Sequence, residues 1–185
     1  MGTVKAPKVA IWNLASCCRL INLWVKRNIL IEIIVPGYRS LCLQHLVMDY
    51  NGTLAQDGRL LEGVKPRLGI LAVQLRLHVI TADTFGIART QLNGLPCKLE
   101  ILPVEEQAQA KLAYVEILGR DQVVAIGNGR NDHLMLEAAA LGIALVQQEG
   151  ASTETVSAAD VVMPDILSAL DMLLFPKRLI ATLRS

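Results

Sequence analysis

A chain of 185 residues has the length of one domain, with a core large enough to hold itself together and room for a short appendage. Its composition is 52% hydrophobic but only 4% aromatic, the balance expected when small aliphatic side chains are buried on both faces of a parallel sheet. A formal net charge of +1 gives no electrostatic footing for nucleic acid, so no nucleic-acid partner is indicated.

The first 28 residues differ from the rest. Val9 to Val25 is apolar and holds both tryptophans, yet Arg19 interrupts it and it falls short of the roughly 20 residues that span a bilayer. It lacks a small-residue cleavage site, and Ala6 stands where a myristoylation pattern wants Ser or Thr. Ile11, Leu14, Leu20, Leu23 and Trp24 have helical spacing. Residues 1–28 are therefore expected to form an extension, loosely ordered or docked as a helix, with no transmembrane segment, followed by a domain over 29–185.

From Ile29 the pattern is regular. Ile29 to Val35 reads as a strand, Pro36 to Ser40 as a turn, and Leu41 to Met48 as a second strand, paired with the first as a hairpin and ending in Asp49. Asn51-Gly52-Thr53 forces a tight turn, and Asp57-Gly58 within Leu54 to Leu61 favours a small flap hairpin. Helices are expected over Val64 to Leu75, with Pro66 in the first turn, over Phe85 to Leu92, over Glu105 to Leu118, over His133 to Leu141 and over Ile166 to Leu174. Short buried strands are expected at Leu77 to Ile80, Leu99 to Leu102, Val123 to Ile126, Ile143 to Val146 and Ala159 to Met163, with a tail from Pro176. Strands alternating with helices at these lengths imply an α/β fold: a Rossmann-like parallel sheet with helices on both faces.

Cys17, Cys18, Cys42 and Cys97 form no CxxC pair, which argues against a structural zinc and for free thiols in a reducing, cytoplasmic setting. His45, His78 and His133 stand apart and are expected to be structural or surface groups. The chemistry-bearing residues instead fall at strand ends. Asp49, Thr81 and the Asn128 to Asp132 loop each follow an apolar run, and Lys111 lies on the helix before the third. Each has an ordinary explanation alone, as a cap, a solvated charge or a loop. Together they converge, because carboxyl ends of parallel strands share one edge of the sheet.

These motifs resemble the haloacid dehalogenase superfamily, in particular the soluble relatives of the P-type ATPase phosphorylation domain. Asp49-Tyr50-Asn51-Gly52-Thr53 looks like the DxxGT nucleophile loop. Thr81-Ala82-Asp83 is similar to the pump-type TGD motif, Lys111 stands where the third motif's lysine is expected, and Gly127 to Asp132 follows the GDGxND loop. The likeness spans about residues 40–165.

It implies a capless enzyme acting on a phosphorylated small molecule or macromolecule, with room for a homo-oligomer. Asp49 would be the nucleophile, and Mg²⁺ would be held by Asp49, the Asn51 carbonyl, Asn128 and Asp132. The phosphoryl group would meet Gly52, Thr53, Thr81, Ala82, Lys111 and Asn131. Arg130, at the centre of its loop, is a candidate contact to substrate phosphate.

Two positions depart from the pattern. Asn51 stands where the family's phosphatases carry an acid, and an amide cannot exchange a proton at neutral pH, which implies slow turnover. Asn128 stands where a metal-binding Asp is usual, which implies weaker metal affinity. Both keep open a second reading, a phosphate-binding or regulatory module without turnover. The spans from Thr53 to Thr81 and from Thr81 to Lys111 leave no room for a large cap or an inserted nucleotide-binding domain, so ion pumping is not expected.

Overall fold

The computed structural model describes residues 29–82 and 86–185. The expected extension over residues 1–28 lies outside the described residues.

The chain opens with β1 (Ile31–Ile34) and β2 (Ser40–Leu43), an antiparallel hairpin whose residues alternate between core and solvent. Period-two alternation is what a hairpin with one wet face requires. β3 (His45–Asp49) is different, since all five of its residues are buried. The expected single strand over Leu41 to Met48 is thus two strands that break at Gln44. The Gln44 N–H donates to the Gln122 carbonyl and its own carbonyl accepts from Arg76, both at 2.8 Å, and this carries the chain from the hairpin into the main sheet.

Beyond Asp49 comes the flap, with β4 (Ala55–Gln56) paired antiparallel to β5 (Arg59–Leu60). Then follow α1 (Val64–Leu71), β6 (Arg76–Thr81), α2 (Ile87–Gln91), β7 (Cys97–Ile101), α3 (Gln107–Leu118), β8 (Val123–Gly127), α4 (His133–Ala138), β9 (Leu141–Leu145), α5 (Thr153–Ala158), β10 (Val161–Met163), α6 (Ile166–Leu174) and α7 (Pro176–Leu183). Leu141 belongs to β9 and not to the preceding helix, while α5 and α7 were not expected.

Six strands form one parallel sheet in the order β10-β9-β8-β3-β6-β7, so β3 is central and flanked by β8 and β6. Alternate residues of each strand feed two cores. Leu46, Met48, Val79, Ile126 and Leu145 pack with α1, α6 and α7 on one face. Val47, Ile80, Ala125 and Ala144 pack with α3 and α4 on the other. This is the Rossmann-like layering the sequence implies. Asp165 caps α6 by accepting from the Ser168 N–H at 2.7 Å, and the Arg67–Asp171 ion pair at 2.6 Å ties α1 to α6. Among the described residues, no helix is long and apolar enough to cross a membrane.

Candidate active site

Three parallel strands end at one edge of the sheet with Asp49 on β3, Thr81 on β6 and Gly127 on β8. Asp49 is in register with Ile80 of β6, so its carboxyl stands at the centre of that edge. From the helix layer, α3 sends Lys111 inward. The Lys111 ammonium lies 2.6 Å from Asp49 Oδ1 and 2.6 Å from Asp132 Oδ1, and its side chain is only 1% exposed.

The acidic loop is built to hold Asp132. The backbone N–H groups of Asn128 and Gly129 both donate to Asp132 Oδ2 at 2.9 Å, while Oδ1 accepts from Lys111. Gly127 makes room for this arrangement, because a Cβ there would lie 2.5 Å from the Asp132 carboxyl carbon.

The charges do not balance. Burial, then the neighbouring Asp132 charge, push the Asp49 carboxyl up to about 7, and Lys111 only partly offsets them. Burial also works against the Lys111 charge, but the two carboxylates outweigh it and hold the ammonium above its usual pKa. A perturbed carboxyl at a strand end, paired with a specific cation, is a physical mark of a working site.

The loop after β3 turns on the Tyr50 carbonyl, which accepts from the N–H groups of Thr53, Leu54 and Ala55, while the Gly52 N–H donates to the Ala55 carbonyl at 2.8 Å. Gly52 has φ +74°, the left-handed region, and a Cβ there would lie 2.5 Å from the Asn128 amide nitrogen. The N–H groups of Gly52 and Thr53 are therefore engaged within the turn. The Thr53 hydroxyl is engaged as well, donating to Asn128 Oδ1 at 3.2 Å. These two residues shape the loop in this structure, and neither points a spare donor at the Asp49 carboxyl.

Asn51 is exposed, beside the buried Gly52. Asn128 is buried with both ends of its amide occupied, Oδ1 by Thr53 and Nδ2 by the Gly150 carbonyl at 3.1 Å. The Asn131 amide donates to Gln107 Oε1 at 2.5 Å, and Arg130 is 79% exposed in an ion pair with Glu154. Thr81 is buried and its carbonyl accepts from the Leu102 N–H at 2.9 Å. Ala82 follows it, and Asp83, the last residue of the TGD-like motif, lies outside the described residues.

The donor set suits a hard cation. Two carboxylates share one ammonium, so the cluster carries an excess of negative charge, and the groups at hand are carboxylate and backbone oxygens. Among the described residues no three His, Cys, Asp or Glu side chains gather to hold a metal, so carbonyl oxygens or water would complete any coordination shell.

A cavity of about 640 Å³ borders the loop after β3 at Gly52. Glu62, Glu149 and Asp165 contribute carboxylates to its lining, Leu61, Val146 and Ile166 contribute apolar surface, and among the described residues no basic side chain lines it.

Residues 107–166, which carry both Lys111 and the Asp132 loop, match the family described as haloacid dehalogenase-like hydrolase. Over these residues the sequence is that of the haloacid dehalogenase superfamily. An uncharacterized protein of Methanocaldococcus jannaschii is 46% identical over 79 residues, covering 40% of this chain and 85% of that protein. A second uncharacterized protein of that organism is 46% identical over 39 residues, 21% of this chain and 89% of its own length.

The fold matches solved members of the superfamily. The cobalt-bound deoxy-D-mannose-octulosonate 8-phosphate phosphatase of Haemophilus influenzae aligns with a TM-score of 0.61 at 17% identity, over 74% of this chain and 90% of that one. The Moraxella catarrhalis 3-deoxy-D-manno-octulosonate 8-phosphate phosphatase, solved with magnesium, phosphate and KDO, aligns with a TM-score of 0.57 at 18% identity, over 77% and 94%. A putative subfamily III A hydrolase of Legionella pneumophila covers 92% of this chain and 96% of its own at a TM-score of 0.58 and 14% identity.

On this haloacid dehalogenase scaffold one residue near the site escaped the motif reading. Gln147 stands two residues past the end of β9 and donates from Nε2 to the Gly52 and Thr53 carbonyls at 2.7 and 2.9 Å. Its position just beyond a strand's carboxyl end was the available signal, by the same rule that singles out Asp49.

Proposed function

We propose that the chain is a Mg²⁺-dependent phosphohydrolase or phosphotransferase that works through an aspartyl phosphate at Asp49, on the pattern of the soluble P-type-ATPase-like hydrolases. The observation that carries this reading is Lys111 bridging Asp49 and Asp132 at 2.6 Å in a buried cluster with an excess of negative charge. Asp49, the Asn51 carbonyl and Asp132 would hold the cation, which screens the repulsion between a carboxylate nucleophile and an anionic phosphoryl group.

In the first step an Asp49 carboxylate oxygen attacks phosphorus, the bond from phosphorus to the leaving oxygen breaks, and that oxygen takes its proton from water. Asn51 cannot supply it, since an amide has no proton to exchange at neutral pH. Thr81 and Ala82 lie at the strand end where a transferring phosphoryl oxygen would be received, and Lys111 balances its charge. In the second step water attacks phosphorus, the bond to Asp49 breaks, and phosphate leaves. Without an acid at position 51 to draw a proton from that water, this step is slow and the phosphoenzyme accumulates.

In this reading Gly52 and Thr53 set the shape of the loop. Asn128 Oδ1 accepts from Thr53 and keeps a second lone pair for a metal, while Asn131 Nδ2 donates to Gln107 and keeps a second hydrogen for phosphate. The cavity beside Gly52 offers carboxylates and, among the described residues, no counter-charge to a sugar-acid carboxylate. The substrate named for the solved phosphatases is therefore not carried over to this chain.

Incubation with acetyl phosphate and Mg²⁺ followed by intact-mass measurement tests the reading. We expect the mass of one phosphoryl group to be gained by the native chain and lost in Asp49→Asn. Phosphate binding without covalent modification would instead support the second reading, a binding or regulatory module, which the amides at 51 and 128 favour.

A further inference from the structure

Gln147 is half-buried, carries no charge and contacts neither Asp49 nor Asp132 in any hydrogen bond found, yet its carboxamide makes three bonds. Nε2 donates to the carbonyls of Gly52 and Thr53, and Oε1 accepts the Ile166 N–H at 2.9 Å. That N–H belongs to the first turn of α6, where no intrahelical acceptor exists. One side chain thus ties the nucleophile loop to the start of a core helix.

The geometry of the peptide unit makes this bond directional. In a trans peptide the carbonyl and the following N–H point opposite ways. With the Gly52 and Thr53 carbonyls drawn toward Gln147, the N–H groups of Thr53 and Leu54 face the other side and meet the Tyr50 carbonyl at 3.3 and 2.9 Å. Tyr50 directly follows Asp49, so the two peptide planes that Gln147 holds set the turn that ends β3.

The same short turn grips the second loop. The Gly150 N–H donates to the Gln147 carbonyl at 2.9 Å, the Gly150 carbonyl accepts from Asn128 Nδ2, and Asn128 Oδ1 accepts from Thr53. The Ser152 N–H adds a bond to the Asn128 carbonyl at 2.9 Å. Residues 147–150 therefore hold the Asp49 loop through one amide and the Asp132 loop through another.

We propose that Gln147 is a positioning residue: through its bonds to the Gly52 and Thr53 carbonyls it fixes the nucleophile loop against the acidic loop, and so sets where Asp49 stands relative to Lys111 and Asp132. The catalytic consequence rests on the phosphoryl-transfer reading above; the structural one does not. A carboxylate cannot donate, so Gln147→Glu keeps the length and the acceptor for Ile166 but turns an anionic oxygen toward two carbonyls. Gln147→Ala removes all three bonds.

The test uses the full chain and two readouts. The first is the rate of phosphoryl uptake by intact mass over a range of acetyl phosphate concentrations with Mg²⁺. The maximal rate should fall about tenfold or more in both variants, as expected when a reacting group is slightly misplaced, while the half-saturating concentration changes less than about threefold. Wild-type rates in both variants, or a loss confined to the half-saturating concentration, would overturn the proposal.

The second readout is hydrogen exchange, which needs no activity. Amides of residues 52–55 should exchange about tenfold faster or more in Gln147→Ala, with β8 unchanged. Unaltered loop exchange, or equal acceleration throughout the sheet, would overturn it. If the native chain takes up no phosphoryl group, the phosphoryl-transfer reading falls and the exchange result decides the role of Gln147 alone.

Discussion

Three elements each contribute to two buried polar clusters, and the clusters differ in charge. β3 begins with His45 and ends with Asp49, β6 carries His78 and Thr81, and α3 carries Lys111 and Tyr114 one turn apart. Toward the amino ends of the strands, His45 Nδ1 lies 3.0 Å from His78 Nε2, and His78 Nδ1 lies 2.9 Å from the Tyr114 hydroxyl. Every group in that chain has a partner and none needs a charge. Burial lowers both imidazoles, and for His78 burial followed by His45, Lys98 and Arg76 brings it to about 4.

At the carboxyl ends, two acids share one ammonium and Asp49 is pushed far above its usual range. A neutral chain that satisfies itself is a structural device. A buried cluster left with an uncompensated acid is costly to keep, and its place at the strand ends makes it the candidate working site.

Breaking the charged cluster should have the larger effect. Lys111→Met leaves two buried carboxylates without a cation and should lower stability at neutral pH by about 3–5 kcal/mol, measured by urea unfolding. A loss below about 1 kcal/mol would mean that the carboxylates are better solvated than their burial implies.

Completing the cluster sharpens its chemical side. Asn51→Asp supplies the missing proton donor and acceptor, and phosphoenzyme decay followed by intact mass should accelerate by about 100-fold, at the low end of general acid–base effects. An unchanged decay rate would remove position 51 from the account.

The smallest effect belongs to the neutral chain. Native His78 stays unprotonated down to about pH 4, whereas in the unfolded chain it takes a proton near its ordinary value of 6.5. The unfolded state therefore binds more protons between those limits, and stability falls as pH drops from 6.5 to 4. The shift in full is worth about 3 kcal/mol, solvent screening of the part-buried ring cuts the expected loss to about 2 kcal/mol over that window, and His78→Gln should flatten this limb of the curve.

Much of the fold was legible because its strands are short apolar runs that stop at polar residues, as Leu46-Val47-Met48 stops at Asp49. The break at Gln44 was not legible, since the residues on both sides are apolar and only bonds to Gln122 and Arg76 divide them. From Pro176 the sequence suggests a tail, whereas proline also suits a first helical turn and opens α7.

The charged centre of the site was legible for a different reason. Asp49, Lys111 and Asp132 are the groups that the proposed phosphoryl site would use, and the topology brings them together. The direction in which a loop's N–H groups point is a tertiary property. Gly52 and Thr53 have the right residue types for anion contact, yet their donors turn to Ala55, Tyr50 and Asn128. Gln147 carries no motif, so its bonds to that loop emerge only from the coordinates. The pairing of His45 with His78 was equally hidden, because the two lie far apart in the chain and meet only through adjacent strands.

In the proposed reaction one carboxylate at the end of β3 becomes covalently phosphorylated. The most direct measurement is to trap the adduct formed from acetyl phosphate and Mg²⁺ by borohydride reduction, digest the chain and locate the modified residue by peptide mass mapping. Modification is expected at Asp49 and at no other acid. Label on Asp132, or an Asp49 peptide of unmodified mass after prolonged incubation, would contradict it.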